Sequence, residues 1–351
     1  MTTDSQGSAV DEDGTTSCLP AVSEARCVHG RVPIASCRAC VMACPTGAWD
    51  LTDDALFIDA AQCDGCGLCV AACPEQALTL PSMQLVVQAG KRDVMVGCDR
   101  IADRTGMLAV PCVHAIGLAQ LIQLYRTGMR ALQLCTPPCG QCSRYRDDYA
   151  RRAVEQFNRV VESRAGERIV LRRLDPDLAR ERCCALSQDG NVQHARRQFL
   201  ARWFRNLDRT AVGDTCDSIG KDWPSADLPP PEPGKAAAFF APRIDLARCV
   251  GCDACVRMCP HGVITVTESP PAYVFDVDAC SGCGLCVDVC GYDAIELAEC
   301  GLITQWAVQM DSGRCRACGT HYHRPAVQRE PTGLCHVCSR VDHRRQLFQV
   351  L

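Results

Sequence analysis

At 351 residues, with a formal charge of −4 and thirty cysteines, the chain is long enough for several small cores and carries no basic footprint for nucleic acid. No apolar run reaches membrane-spanning length, since the longest candidate, around residues 115–125, is short and interrupted by glutamines; direct membrane insertion is not expected. The opening stretch MTTDSQGSAVDEDGTTS has neither a positive n-region nor an apolar h-region. It predicts a cytoplasmic protein, and in that reducing compartment cysteines at C-x2-C spacing read as metal ligands rather than disulfides.

Residues 1–23 are poor in apolar side chains and read as a disordered tail in which Cys18 is a spare thiol. A first cysteine module spans 24–83. Its second half, QCDGCGLCVAACPEQALTL, carries Cys63, Cys66, Cys69 and Cys73 as C-x2-C-x2-C-x3-C followed by Pro74, the ferredoxin run for a 4Fe–4S cluster. Three thiolates two residues apart wrap three corners of a cubane in one tight loop, and Gly65 and Gly67 let the backbone bend close. The fourth cysteine serves the other cluster, so one run predicts a second. The partner run holds Cys37, Cys40, Cys44 and Pro45, but nine residues rather than two separate Cys27 from Cys37. A loop insertion is the simplest account: Cys27, Cys37, Cys40 and Cys73 hold one cluster, and Cys63, Cys66, Cys69 and Cys44 the other. The alternative is that Cys27 is not a ligand, which leaves a three-iron cluster or one completed by Cys18.

Residues 84–217 change texture to alternating strand and helix signals, with short buried strands at 93–97, 107–111, 131–134 and 169–174. A helix is expected over 115–127, stopped by Gly128, and a longer arginine-rich one over 143–164. The arginine density between Arg144 and Arg209 reads mainly as solvated helix faces. Strand alternating with helix implies a small parallel α/β sheet, and residues past the carboxyl ends of parallel strands meet at one edge. Cys98, Cys112 and Cys135 follow three of the strands, and Cys139 and Cys142 lie in the next loop, TPPCGQC. The bland reading is ordinary buried thiols; another is a redox-active Cys139/Cys142 pair doing thiol–disulfide exchange. Cys183, Cys184 and Cys216 have no metal spacing. QHARRQFLARWFRNLD (193–208) reads as an amphipathic helix packing on the core, and residues 218–238 as a proline-rich linker.

A second module, 239–300, repeats the pattern with Cys249, Cys252, Cys255 and Cys290 for one cluster and Cys280, Cys283, Cys286 and Cys259 for the other; Gly291 stands where proline follows the fourth cysteine. Cys300 has no apparent partner. The tail, 301–351, holds Cys315, Cys318, Cys335 and Cys338 as C-x2-C-x16-C-x2-C, the zinc-ribbon spacing, with rubredoxin-like iron as the runner-up. Four thiolates already close a tetrahedral sphere, so His321, His323 and His336 read as surface residues.

On these motifs the two cysteine modules resemble bacterial dicluster ferredoxins. The pieces VGC, VPCVHAIGLAQLIQLYRTGMRALQLC and CxxC resemble the iron–sulfur (delta) subunit of methyl-viologen-reducing hydrogenases, and that resemblance implies a 2Fe–2S cluster held by four of Cys98, Cys112, Cys135, Cys139 and Cys142. The expected architecture is a multidomain α+β and α/β chain: two ferredoxin-like dicluster modules, a central parallel α/β domain and a C-terminal zinc ribbon. Four 4Fe–4S clusters, one 2Fe–2S cluster and one zinc are the expected inventory. With no phosphate loop, GxSxG or HExxH, no catalytic constellation stands out. The expected function is electron transfer between a partner dehydrogenase, hydrogenase or flavoprotein and another acceptor. Redox sensing or assembly, and thiol/disulfide reduction at Cys135, Cys139 and Cys142, are the alternatives.

Overall fold

The computed structural model describes residues 19–52, 55–83, 85–101, 104, 106–175, 228, 236–328 and 333–340. The amphipathic stretch 193–208, Cys18, Cys183, Cys184, Cys216 and almost all of the linker 218–238 lie outside them.

The first module has very little regular structure, because its loops must bend around the cysteines. In chain order it runs β1 (Ala21–Val22), α1 (Val28–Arg31), α2 (Ala39–Ala43), β2 (Trp49–Leu51), β3 (Leu56–Ile58), α3 (Leu68–Ala72) and β4 (Leu78–Thr79). β1 pairs antiparallel with β4, and β2 with β3. Between the halves α2 packs on α3.

The central domain contains β5 (Asp93–Cys98), β6 (Leu108–Val110), α4 (Leu118–Arg126), β7 (Ala131–Cys135), α5 (Tyr149–Ser163) and β8 (Val170–Leu174). Its four strands form a parallel sheet in the order β6-β5-β7-β8. The order reverses beside β5, since the chain leaves to β6 on one side and returns to β7 on the other. Such a reversal opens a crevice beyond the carboxyl ends of the strands. Leu132, Leu134, Val96, Leu121, Leu124 and Phe157 are inaccessible to solvent, and each contributes about 1.5–3 kcal/mol by burial. Asn158 is buried on α5 and holds both backbone groups of Ile169, donating to its O at 2.8 Å and accepting from its N at 2.7 Å. This pins the entry into β8.

Both expected helices begin late. α4 starts at Leu118, after a 3₁₀ turn at Val113–Ala115, because the chain is extended at Gly117, which lies so close to Ala71 that an added Cβ would stand 2.5 Å from its carbonyl oxygen. It ends as expected before Gly128, whose φ is +102°. α5 starts at Tyr149, with Asp148 as its cap accepting from the Arg151 N–H, and residues 143–148 form an irregular approach to it.

The second module comprises β9 (Phe240–Ile244), α6 (Ala254–Met258), β10 (Ile264–Glu268), β11 (Pro271–Phe275), α7 (Leu285–Asp288) and β12 (Ile295–Glu299). β12 pairs with β9 and β10 with β11. The sheet then continues into the tail: β13 (Ala307–Arg314) pairs with β11, and β14 (His321–Pro325) with β13, giving the order β10-β11-β13-β14. Three parts of the chain meet. Arg164 at the end of α5, its side chain almost fully buried, donates to Asp278 of the second module at 2.5 and 2.9 Å and to the Ala237 carbonyl.

Among the described residues no helix is long and apolar enough to cross a membrane.

Candidate iron–sulfur and metal sites

The four cysteine runs share one local geometry. The last cysteine of each run accepts a hydrogen bond from the backbone N–H four residues on: Ala48 to Cys44, Ala77 to Cys73, Val263 to Cys259 and Ala294 to Cys290, every one at 3.3 Å. A turn that aims an N–H at sulfur stabilises the thiolate. Cys290 has the same bond although Gly291 replaces the proline, so the turn does not depend on the ring. In three of the runs the residues flanking the second cysteine are left-handed: Gly65 and Gly67, Gly251 and Asp253, Gly282 and Gly284. That pair of positive φ values folds the loop so that its three sulfurs turn inward, and glycine meets it with least strain.

The sulfurs gather as cross-linked sets. Cys27, Cys37, Cys40 and Cys73 line one cavity, so the inserted loop returns Cys27 to the other three. Cys69 lies within the electrostatic reach of Cys63 and Cys44. Cys255 feels Cys249, Cys252 and Cys290. Cys259, Cys280, Cys283 and Cys286 line a further cavity. Burial, reinforced by neighbouring negative groups, pushes the thiols of Cys40, Cys66, Cys255, Cys280 and Cys283 up to about 12 and that of Cys69 up to about 11. Left to themselves these thiols stay protonated at neutral pH. A positively charged centre among them would draw the protons off, and the donor set, all thiol, is the one iron–sulfur cores take.

In the central domain the crevice beyond the sheet is lined by Cys98, Cys112, Cys139 and Cys142, together with His114, Arg144 and Tyr145. Of the five candidate cysteines, Cys135 is the one left out of that lining: it lies within β7, fully buried, in register with Gly97 and Leu174. His114 supplies an independent observation. It is 2% exposed, and neither ring nitrogen has a hydrogen-bond partner among the described residues. The nearest carboxylate oxygen, Asp148 Oδ1, is 3.6 Å from Nδ1, too long for a hydrogen bond. Four thiols and an unpartnered imidazole thus share one crevice lining.

The tail cysteines Cys315, Cys318, Cys335 and Cys338 have their sulfurs within 4.8 Å of one another, with Cys318 and Cys335 at 3.9 Å. Four thiolates about 2.3 Å from one tetrahedral ion would be separated by about 3.8 Å, so the group fits a single ion. The backbone N–H groups of Cys318 and then Cys335 pull the Cys315 thiol down to about 6, whereas burial pushes Cys338 up. The first knuckle is the turn of the β13–β14 hairpin. His323, expected at the surface, instead bonds Asp253 at 2.8 Å, and Tyr273 donates to the same carboxylate at 2.7 Å. An added Cβ on Gly251 would fall 2.2 Å from the His323 carbonyl oxygen, so the hairpin lies directly on the loop of Cys249, Cys252 and Cys255.

Several residues that organise these sites have no signature in cysteine spacing. Arg144 was expected on a solvated face but is 8% exposed. It donates to Asp64 Oδ2 at 2.6 Å and the Asp64 carbonyl at 3.0 Å, and to Asp99 Oδ2 at 2.7 Å and the Pro111 carbonyl at 2.9 Å. It therefore bridges the Cys63–Cys66 loop to the residues beside Cys98 and Cys112. Burial works against ionisation of Asp64, but Arg144 outweighs it and holds the carboxyl below its usual range. Arg151 and Arg152, by contrast, are exposed as expected. Glu75, two residues past Cys73, is buried against His261 and Ser281 of the second module. Only a buried polar residue next to a ligand could have hinted at it, and burial is not visible in one sequence. Cys300 is half buried, its sulfur 3.8 Å from the Gln156 carbonyl oxygen.

Two family models described as a 4Fe-4S dicluster domain match the chain, one over residues 35–78 and one over residues 248–294. The second match contains all eight cysteines of its module, while the first begins after Cys27. No curated protein matches the chain. Two 4Fe–4S dicluster domains, built on four repeats of one cysteine turn, are the equipment of an iron–sulfur electron-transfer protein.

Proposed function

We propose that the chain is an electron-relay subunit of polyferredoxin type, passing electrons between a partner dehydrogenase, hydrogenase or flavoprotein and another acceptor. Its cubanes are held by Cys27, Cys37, Cys40 and Cys73; by Cys63, Cys66, Cys69 and Cys44; by Cys249, Cys252, Cys255 and Cys290; and by Cys280, Cys283, Cys286 and Cys259. A 2Fe–2S cluster is held by Cys98, Cys112, Cys139 and Cys142, and a structural zinc by the tail quartet. Bound clusters of these types exchange one electron at a time at potentials set by hydrogen bonds, charge and exposure. The observation that supports this reading is the four-fold N–H to sulfur turn combined with the gathering of cysteines from different runs into common sets. For the central site the support is the orphaned His114 beside four thiols. The buried position of Cys135 favours a cluster over a three-cysteine reductase centre, because a disulfide substrate has no access to that thiol.

The test is anaerobic affinity purification of the tagged protein from its own host, with metal analysis and EPR titration. Roughly 18 iron atoms and about one zinc per chain are expected from four cubanes, one binuclear cluster and one tetrahedral site. Co-purification with an oxidoreductase whose substrate reduces the clusters supports the relay. Intact clusters that no candidate donor reduces would move the function to redox sensing or assembly.

A further inference from the structure

The two dicluster modules touch through charged and polar groups that stand among the ferredoxin cysteines but are not themselves ligand candidates. Glu75 follows Cys73 and Pro74 of the first module and is 5% exposed. Both of its carboxylate oxygens lie 3.1 Å from His261 Nε2, and the Ser281 hydroxyl donates to one of them. His261 sits two residues past Cys259, and Ser281 lies between Cys280 and Cys283. The one carboxylate thus stands two residues from Cys73 in one module and bonds the residue between Cys280 and Cys283 in the other. Arg31 is the further charge that acts on it. A few residues away, Ser36 donates from its backbone N–H and its hydroxyl to Asp288, at 2.8 and 2.7 Å, and so ties the residue before Cys37 to the end of α7. Val28, Val32 and Leu285 close a small apolar cluster at this contact, with Cys37 and Cys283 packed on it.

We propose that Glu75, seated by His261 and Ser281, is the junction between the two modules: it fixes the site of Cys27, Cys37, Cys40 and Cys73 against the site of Cys259, Cys280, Cys283 and Cys286, and its charge lowers the potentials of both. The inference rests on the relay reading above. It makes the modules one series rather than two independent ferredoxins. Arg144 joins the Cys63–Cys66–Cys69 site to the central crevice at one end, and the exposed Cys252 opens the Cys249–Cys252–Cys255 site to solvent at the other. An electron crossing the junction leaves one site and arrives at the next with no bond made or broken and no proton required; a one-electron donor protein supplies it and an acceptor protein removes it.

A buried negative charge opposes reduction of any centre beside it, and does so most where solvent screening is least. Glu75 faces two sites, so its neutralisation must register at both. The experiment is an EPR-monitored redox titration of the full-length anaerobic protein, comparing wild type with Glu75→Gln, and using Cys252→Ser at the exposed outer ligand to assign the signal of the outermost site. The expected result is an upward shift of two of the four cubane midpoints together, with the outermost site unmoved. Ser281→Ala, which keeps the carboxylate but removes one donor, shifts the same two in the opposite direction by a smaller amount. Movement of one midpoint alone, or of none, in a variant with full iron content overturns the junction. Should Glu75→Gln fail to fold, the Ser281→Ala result decides on the same criterion. Absence of four cubanes from the wild-type protein would instead overturn the relay reading itself, so the two failures are distinguishable.

Discussion

At the tail, Cys315, Cys318, Cys335 and Cys338 hold their sulfurs within 4.8 Å of one another, and backbone N–H groups pull one thiol down to about 6. In the repeats the thiols stand around small cavities, and burial drives several of them up to about 12. The tail therefore brings its sulfurs to the spacing of a single ion. Among the described residues the repeat cysteines form no group that tight; theirs line the edges of spaces that a multi-iron core with its own sulfide would occupy. The surroundings differ in the same sense. The tail knuckle is the turn of a hairpin leaning on the second module, whereas each repeat loop is backed by packed residues such as Leu68, Leu285 and Trp49, all no more than 5% exposed.

The sharpest way to break this contrast is to remove metal. If the tail quartet holds the zinc proposed for it, a strong zinc chelator at neutral pH is expected to cost the tail its metal-derived stability, about 10 kcal/mol or more. Hydrogen exchange should then rise across 315–325 and 333–340, while the visible absorption of the repeat sites stays intact; simultaneous bleaching would show that the two classes are not separate. Arg144→Met comes next. It leaves Asp64 and Asp99 without their cation, and because those carboxylates are about a third exposed the loss is about 2 kcal/mol rather than the 3–5 of a fully buried pair. Denaturant melts should register it, and EPR should find the central site and the Cys63–Cys66–Cys69 site perturbed with zinc content unchanged. Asn158→Ala tests whether the sheet can be weakened without touching either class of site. Losing both bonds to Ile169 is expected to cost about 2 kcal/mol in thermal or chemical melts, with metal content unchanged. The smallest effect is expected from Tyr273→Phe. The hydroxyl's bond to Asp253 and its contact with His323 of β14 both disappear, at about 1 kcal/mol, and limited proteolysis should detect a looser β13–β14 hairpin with the metal content of the tail unchanged.

The ferredoxin turns and the tail knuckles were legible because their chemistry is local. The spacing Cys63, Cys66, Cys69 places three sulfurs in one loop whatever surrounds it, and the left-handed turns at Gly65 and Gly67 were implied by the glycines. The alternating strands of the central domain were legible too, within a residue or so at each end. The starts of α4 and α5 were not. Their helical periodicity runs on into segments that other contacts claim, Gly117 against Ala71 and Arg144 between two acidic loops. Periodicity reports what a segment could do alone and not which partner it meets.

From sequence by itself came the dicluster repeats, the parallel character of the central sheet and the knuckle pattern of the tail, because each depends on residues a few positions apart. Only the tertiary structure decided that Cys135 stands outside the lining of the central crevice and that His323 seats the tail on the second module; it also brings Cys27 to one cavity with Cys37, Cys40 and Cys73, the loop-insertion reading of the sequence. It also decided that Glu75 meets His261 and Ser281, about two hundred residues away. The physical reason is the same in every case. Burial and hydrogen-bond partners belong to pairs of distant segments, and a single chain of letters specifies such pairs only through the fold they jointly stabilise.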